Sequence, residues 1–274
     1  MITVASRDIR GYAPGLSRSM LFALLFVIVG YGASPATADE CPKAGSEIET
    51  DRPDATNTSV AVPEGSFQVE NGVNLTSQNN ALSFDGANTR LRFGVAHCFE
   101  VFVDLPTYFT SIHGHANSGF SDVAPAVKWQ VNPLPGKFDF AVIAGMGLPT
   151  GAKSISGPGV QPYLQLPWSR DLDDEWSIGG QATFFFQPSD PISQFTTEST
   201  FEIQKKIGKK ITLFVEYAGE YPDRGSPSQF FDTGAAYRIT PLQQVDFHFN
   251  SGLNSNTPNY SVGVGYSFRL DRVF

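Results

Sequence analysis

The feature that most constrains this chain is the alternation in its last stretch, Tyr260-Ser-Val-Gly-Val-Gly-Tyr-Ser-Phe-Arg-Leu270. Tyr260, Val262, Val264, Tyr266, Phe268 and Leu270 are apolar, and the residues between them (Ser261, Gly263, Gly265, Ser267, Arg269) are small or polar. Successive side chains of a β-strand point to opposite faces, so the stretch offers one face to hydrocarbon and the other to a polar interior. At about 3.3 Å per residue and a tilt of roughly 45°, it reaches about 25 Å, the height of the apolar band of an outer-membrane barrel. A half-buried strand of a soluble sheet alternates in the same way, so the decision passes to the rest of the chain.

From Phe67 onward the pattern repeats. Strands are predicted at 66–76, 89–97, 98–106, 119–131, 138–148, 161–171, 176–187, 195–207, 211–221, 229–239, 244–251 and 259–270, separated by Gly, Pro, Asn and Asp clusters. The links alternate in length. They are tight at His97-Cys98, 132–137, 171–175, 208–210 and 240–243, and longer at 77–88, 107–118, 149–160, 188–194, 222–228 and 252–258. Short turns at one end and long loops at the other suit an up-and-down membrane barrel, whereas a Greek-key sandwich has no reason to alternate this way. In a bilayer every backbone polar group needs a partner within the protein, so strand 259–270 is expected to pair with strand 66–76. The expected fold is all-β: an up-and-down antiparallel transmembrane β-barrel of about 12 strands, closed between first and last. An even strand count places both termini on one side, the periplasmic side of the outer membrane of a Gram-negative bacterium.

Outside the barrel, Arg7, Arg10 and Arg18 precede the apolar run Met20–Val29, and Ala36-Thr-Ala38 precedes Asp39. Residues 1–38 read as a signal peptide cleaved after Ala38, the apolar run being short for an anchor helix. Residues 39–64 are expected as a polar periplasmic segment, 65–270 as the barrel and 271–274 as a C-terminal tail. Arg272 shares the outward parity of Phe268 and Leu270. Either it snorkels at the interface or the strand ends at Leu270 and the last four residues hang free. Losing Arg7, Arg10, Arg18 and Asp8 takes the 19 basic and 27 acidic residues to 16 and 26, a balance that argues against nucleic-acid binding. Asp39 and Glu40 before Cys41 do not suit lipidation. Cys41 and Cys98 fall on the same side of the expected barrel, and an oxidising compartment permits a disulfide between them.

The strand faces opposite the apolar rows carry the charges: Glu70, Arg90, Arg92, Glu100, Asp104, Asp122, Lys128, Asp139, Glu198, Glu202, Glu216, Glu220, Asp232, Arg238, Asp246 and Arg269. This acidic excess is consistent with a pore that favours cations or polar solutes, and equally with a filled interior whose charges brace the wall. Inward Phe102, Tyr163, Phe185, Phe214 and Phe230 are either a track for an aromatic solute or interior packing. Lipid hydrolysis is the enzymatic alternative. Its nearest pair, His248 and Ser251, has the histidine facing inward rather than toward the outer wall. His113 and His115 lack a third metal ligand, and the sequence holds no phosphate loop or nucleotide fingerprint. No enzyme activity, cofactor or metal is expected. The expected partners are outer-membrane lipid, a small-molecule solute and the outer-membrane assembly machinery, for which the terminal Phe274 is a suitable signal.

Glu49-Thr-Asp-Arg-Pro-Asp54, followed by Val62-Pro-Glu-Gly-Ser-Phe-Gln-Val-Glu70, resembles the N-terminal signature of a bacterial outer-membrane family named for a MetA pathway of phenol degradation. Gly145-Met-Gly-Leu-Pro-Thr-Gly151, Pro167–Leu172, Trp176–Gly180, Phe214–Glu220 and Gln229–Gly234 are similar to its later blocks. The resemblance implies an outer-membrane barrel that passes aromatic compounds or other metabolites, and brings no ligand residues with it. Within the box Thr50, Asp51, Arg52, Pro53 and Asp54, an arginine and two carboxylates around a proline read as a locked turn. It is expected to fold into the barrel and partly plug it.

Overall fold

The computed structural model describes residues 45–114, 117–188 and 194–274, apart from the side chains of 132 and 133. The expected signal peptide, Cys41 and His115 lie outside the described residues. The strands are β1 (Phe67–Gln78), β2 (Ala81–Gly86), β3 (Arg90–Ala96), β4 (Phe99–Asp104), β5 (Tyr108–His113), β6 (Gly119–Phe120), β7 (Ala124–Leu134) and β8 (Phe138–Gly147). They continue with β9 (Gln161–Asp171), β10 (Trp176–Gln187), β11 (Gln194–Ile207), β12 (Ile211–Pro222), β13 (Ser228–Thr240), β14 (Gln243–Gly252) and β15 (Tyr260–Leu270). All belong to one antiparallel sheet, and β15 pairs with β1 from Phe67↔Leu270 to Ser77↔Tyr260. The wall is therefore a closed 12-stranded barrel made of β1, β3, β4 and β7 to β15. Closure leaves no free strand edge in that wall, as a bilayer requires.

Links 77–88 and 107–118 are not plain loops. β2 folds back on the far half of β1, β5 pairs with β2, and β6 with β5, so one side of the wall extends beyond the barrel proper. The hairpin turn is Asn79-Asn80, both with positive φ (49° and 62°), the conformation that two-residue β-hairpins favour. Segment 119–131 is likewise interrupted at 121–123, between β6 and β7.

Alternation holds around the barrel. On β12, Leu213 and Val215 are exposed while Phe214, Glu216 and Ala218 are buried. Val101, Trp129, Phe201, Phe247, Val264 and Tyr266 continue the apolar outer face on other strands. In water such a band would cost about 25 cal/mol per Å² of apolar surface; in a bilayer it costs nothing comparable. The short links gather at one rim, here the turn end, and the longer ones at the other, the loop end.

β15 stops at Leu270, but the tail does not hang free. Val273 N donates to Gly65 O (2.7 Å), and Arg269 pairs with Asp271 (2.7 Å). Cys98 sits in the β3–β4 turn with positive φ and is not a free thiol.

Candidate functional site: the barrel interior and the segment that enters it

Residues 45–64 enter from the turn end, cross the interior and return to β1. Near the rim, Ile48 N donates to Pro241 O and Arg269 reaches Gly45 O and Glu47 O. From there almost every wall strand holds the segment. Gln68 and Arg92 donate to Glu49 O, and Gln244 donates to Thr50 Oγ1. Glu70 receives Asp51 N, and His248 Nδ1 lies 2.7 Å from Pro53 O. Ala55 N and Thr56 Oγ1 donate to Glu216, and Asn57 bonds Gln181 and Gln165. Ser59 meets Ser169, Ala61 N donates to Gln130, and Val62 N to Glu100. Ile48, Asp51, Thr56, Asn57, Ser59, Val60, Ala61 and Val62 are all buried as a result.

Arg52 lies over the seam of the barrel. Its guanidinium bonds Asp246 (3.1 Å) and rests on Gly72 and Gly265, which face each other across the β1–β15 pair. A Cβ on either glycine would collide with Arg52, so two absent side chains make the seat. The Arg52–Pro53 peptide is cis.

The charges divide into two regions. On β1, β3, β4 and β7 they are paired. Arg92 bonds Glu100 (2.6 Å) and Glu70 (2.8 Å), Arg90 bonds Asp104 (2.7 Å) and Asp51 (2.9 Å), and Lys128 bonds Asp51 (2.9 Å). Burial alone would raise the Asp51 acid, but the Arg92, Lys128 and Arg90 cations outweigh it and hold that carboxyl well below the usual range. On β11, β12 and β13 the carboxyls face one another. Glu198 is opposite Glu220, Glu202 opposite Glu216, and Glu216 opposite Asp232. Asp54 joins them from the inserted segment, and Gln204 Nε2 donates to both Asp54 (3.4 Å) and Glu202 (2.9 Å). Burial first, and the Glu202 and Glu216 carboxyls next, push the Asp54 acid well up. Among the described residues no arginine or lysine pairs with this group, and Asp232 Oδ1 is buried without a hydrogen-bond partner.

Most residues expected to line the interior do point inward. Glu70, Arg92, Glu100, Phe102, Lys128, Tyr163, Glu202, Phe214, Glu216 and Asp232 are buried, and Arg90, Asp104, Phe185 and Glu198 are half-buried. Asp122 is a correction. It lies between β6 and β7, outside the wall, and its carboxylate receives Thr150 N (3.0 Å), Gly151 N (2.8 Å) and Ser156 Oγ, so it ties down a loop. Arg238 sits at the turn-end rim with Glu47 (2.6 Å). Phe102, Tyr163 and Phe185 pack with Ala126 and Ile143 in one apolar cluster, and Arg90 covers the Phe102 ring (4.4 Å). Phe214 and Phe230 are buried elsewhere, so the five aromatics make no continuous strip. His248 faces inward and Ser251, three residues on, faces out, so the hydrolase pair does not assemble.

The uncharged inward residues that grip the segment, Gln68, Gln130, Gln165, Gln181, Thr200 and Gln244, were passed over because the sequence argument followed charge. Their signal was glutamine at inward parity, a costly residue to bury without a partner.

A closed antiparallel barrel with an apolar outer band, a polar interior and its own N-terminal segment packed inside defines a β-barrel of the outer-membrane type. Over residues 50–270 the chain matches the family described as "Putative MetA-pathway of phenol degradation", and it belongs to that family. Among solved structures it is similar to an outer membrane channel from Pseudomonas putida F1 (TM-score 0.59, 13% identity, 77% of this chain and 98% of that one). It is also similar to the NanC porin (TM-score 0.54, 12% identity, 74% of this chain and 100% of that one). At these identities the likeness establishes the fold. No curated protein sequence matches the chain.

Proposed function

We propose that the protein is a passive outer-membrane channel for small solutes, narrowed by residues 45–64 and preferring cationic or polar solutes. The observation that carries this reading is the acidic face of β11–β13, whose carboxyls pair with no arginine or lysine among the described residues, His248 standing 3.9 Å from Asp232. A barrel interior filled only for stability would neutralise its charges, as the β1–β7 side does. Carboxyls set opposite one another are unfavourable unless they attract mobile cations or share protons. On this reading both termini face the periplasm, residues 1–38 direct export, and Cys41 bonds Cys98.

The inserted segment favours a second reading, a structural barrel that conducts nothing. Planar-bilayer recordings of the full mature chain and of a variant lacking residues 48–60 separate the two. A channel gives small conductance that grows on deletion, with reversal potentials on the cation side. Silence from both proteins, refolded and heat-modifiable, would leave the structural barrel. Aromatic solutes, which the family description brings forward, are tested by liposome swelling with phenolic acids against sugars and amino acids.

A further inference from the structure

The outer wall between β12 and β14 is not uniformly bulky. Along β13 the outward residues are Phe231, Thr233, Ala235, Tyr237 and Ile239. In register, Ala235 lies between Leu213 on β12 and Phe247 on β14, and Tyr237 between Ile211 and Val245. The small Ala235 thus floors a shallow groove walled by Ile211, Tyr237, Val245 and Phe247.

This groove lies near the turn end, Ile211 following directly on the 208–210 turn, where Lys205, Lys206, Lys209 and Lys210 fall within six residues of sequence. Lys210 Nζ stands 5.8 Å over the Tyr237 ring, at the mouth of the groove, and Lys205 Nζ stands 4.5 Å over Trp176 on the neighbouring strand pair. One carboxylate attends part of this cluster, Asp173 near Lys205. Lys209 and Lys210 pair with no carboxylate among the described residues, the nearby Glu47 being engaged by Arg238. Lysines stacked on aromatic rings at the rim of an apolar band sit at headgroup depth, their stems in hydrocarbon and their charges at the surface.

We propose that this is a docking site for one anionic phospholipid, with an acyl chain in the groove over Ala235 and the headgroup phosphate against Lys209 and Lys210. The inference rests on the wall lying in a bilayer and needs no conductance. The groove admits any acyl chain; the lysines at its mouth select the charge. A basic side chain near an anionic lipid surface is worth about fivefold in affinity, so the pair accounts for about twenty-five-fold.

The test is native mass spectrometry of the full mature protein in detergent, titrated with phosphatidylglycerol or phosphatidylcholine. The expected result is one phosphatidylglycerol retained in preference to phosphatidylcholine. K209Q/K210Q should lower that retention about twenty-five-fold and abolish the preference. Ala235→Phe, which fills the groove, should weaken both lipids. K153Q/R224Q, at the loop end, should change neither. Equal retention of the two lipids by the wild type, or unchanged retention by K209Q/K210Q in protein that remains heat-modifiable, would overturn the site. Because every readout is lipid mass, a silent channel leaves this outcome unaffected.

Discussion

Asp51→Asn should release the inserted segment while sparing the barrel. In the wild type the Asp51 carboxylate takes Lys128 Nζ at 2.9 Å and Arg90 Nη1 at 2.9 Å, with Arg92 at 3.5 Å, and it also receives Thr58 N. The Asp51 and Lys128 side chains are almost wholly buried. Removing one partner of a buried pair costs about 3–5 kcal/mol, because the other charge stays behind unpaired. Among the described residues Lys128 would then have only Glu100, 3.9 Å away and already committed to Arg92. Apart from the single ion pairs Arg52–Asp246 and Glu47–Arg238, the other contacts of the segment are neutral or singly charged hydrogen bonds, each worth about 1 kcal/mol net. No one of them replaces what Asp51 supplies. A loss of 3–5 kcal/mol shifts the inserted-to-released ratio by roughly 10²- to 10⁴-fold. Single-channel recording should therefore show D51N spending far more time at the conductance of the variant lacking 48–60. Heat-modifiability on gels should stay near wild type, since the wall's ladder is untouched. If D51N conducts like the wild type while the deletion conducts more, the ion pairs do not hold the segment and the reasoning fails.

The Asp54 acid is raised when docked, so the docked segment holds a proton that the released one gives up. Docking is then strongest at acid pH and weakens as pH climbs above the ordinary aspartate range, near 4. Open probability should rise with pH in the wild type and flatten in Asp54→Asn. A variant with the wild-type profile would remove Asp54 from that role. E198Q/E220Q, which neutralises a facing pair on the loop side, should shift the reversal potential in a salt gradient toward zero selectivity; an unchanged potential would place the cation path elsewhere. Gly265→Val puts a side chain where Arg52 lies and should phenocopy D51N in conductance, with limited proteolysis showing earlier cleavage near residues 50–60.

The barrel was legible because its physics is written strand by strand. Strands 161–171 and 176–187 match β9 and β10, and the other wall strands agree to within a few residues where no bulge or break intervenes. The hairpin at Asn79-Asn80 was missed for a specific reason. A long loop was expected at 77–88, and a positive-φ Asn pair flanked by Leu82 and Phe84 was not weighed as a turn signal. The interior was half legible. Period-two parity put Arg92, Glu100 and Lys128 inside, and the Asp-Arg-Pro-Asp box was expected to plug the barrel. Parity says nothing, however, about which of the facing charges meet. That depended on where Asp51 and Arg52 lie in three dimensions, a non-local fact that the pattern does not encode. Asp122 was misplaced because parity was carried two residues past the point where the strand begins.

The seat of Arg52 has a consequence for how the molecule is made. Gly72 and Gly265 belong to the first and last wall strands, which come together only when the ring zips shut. Until they do, the arginine has half a cradle, and once they do it becomes a clasp across that final joint. The first and last wall strands therefore meet twice, through backbone ladder and through one guanidinium, so finishing the cylinder also completes the seat of its stopper.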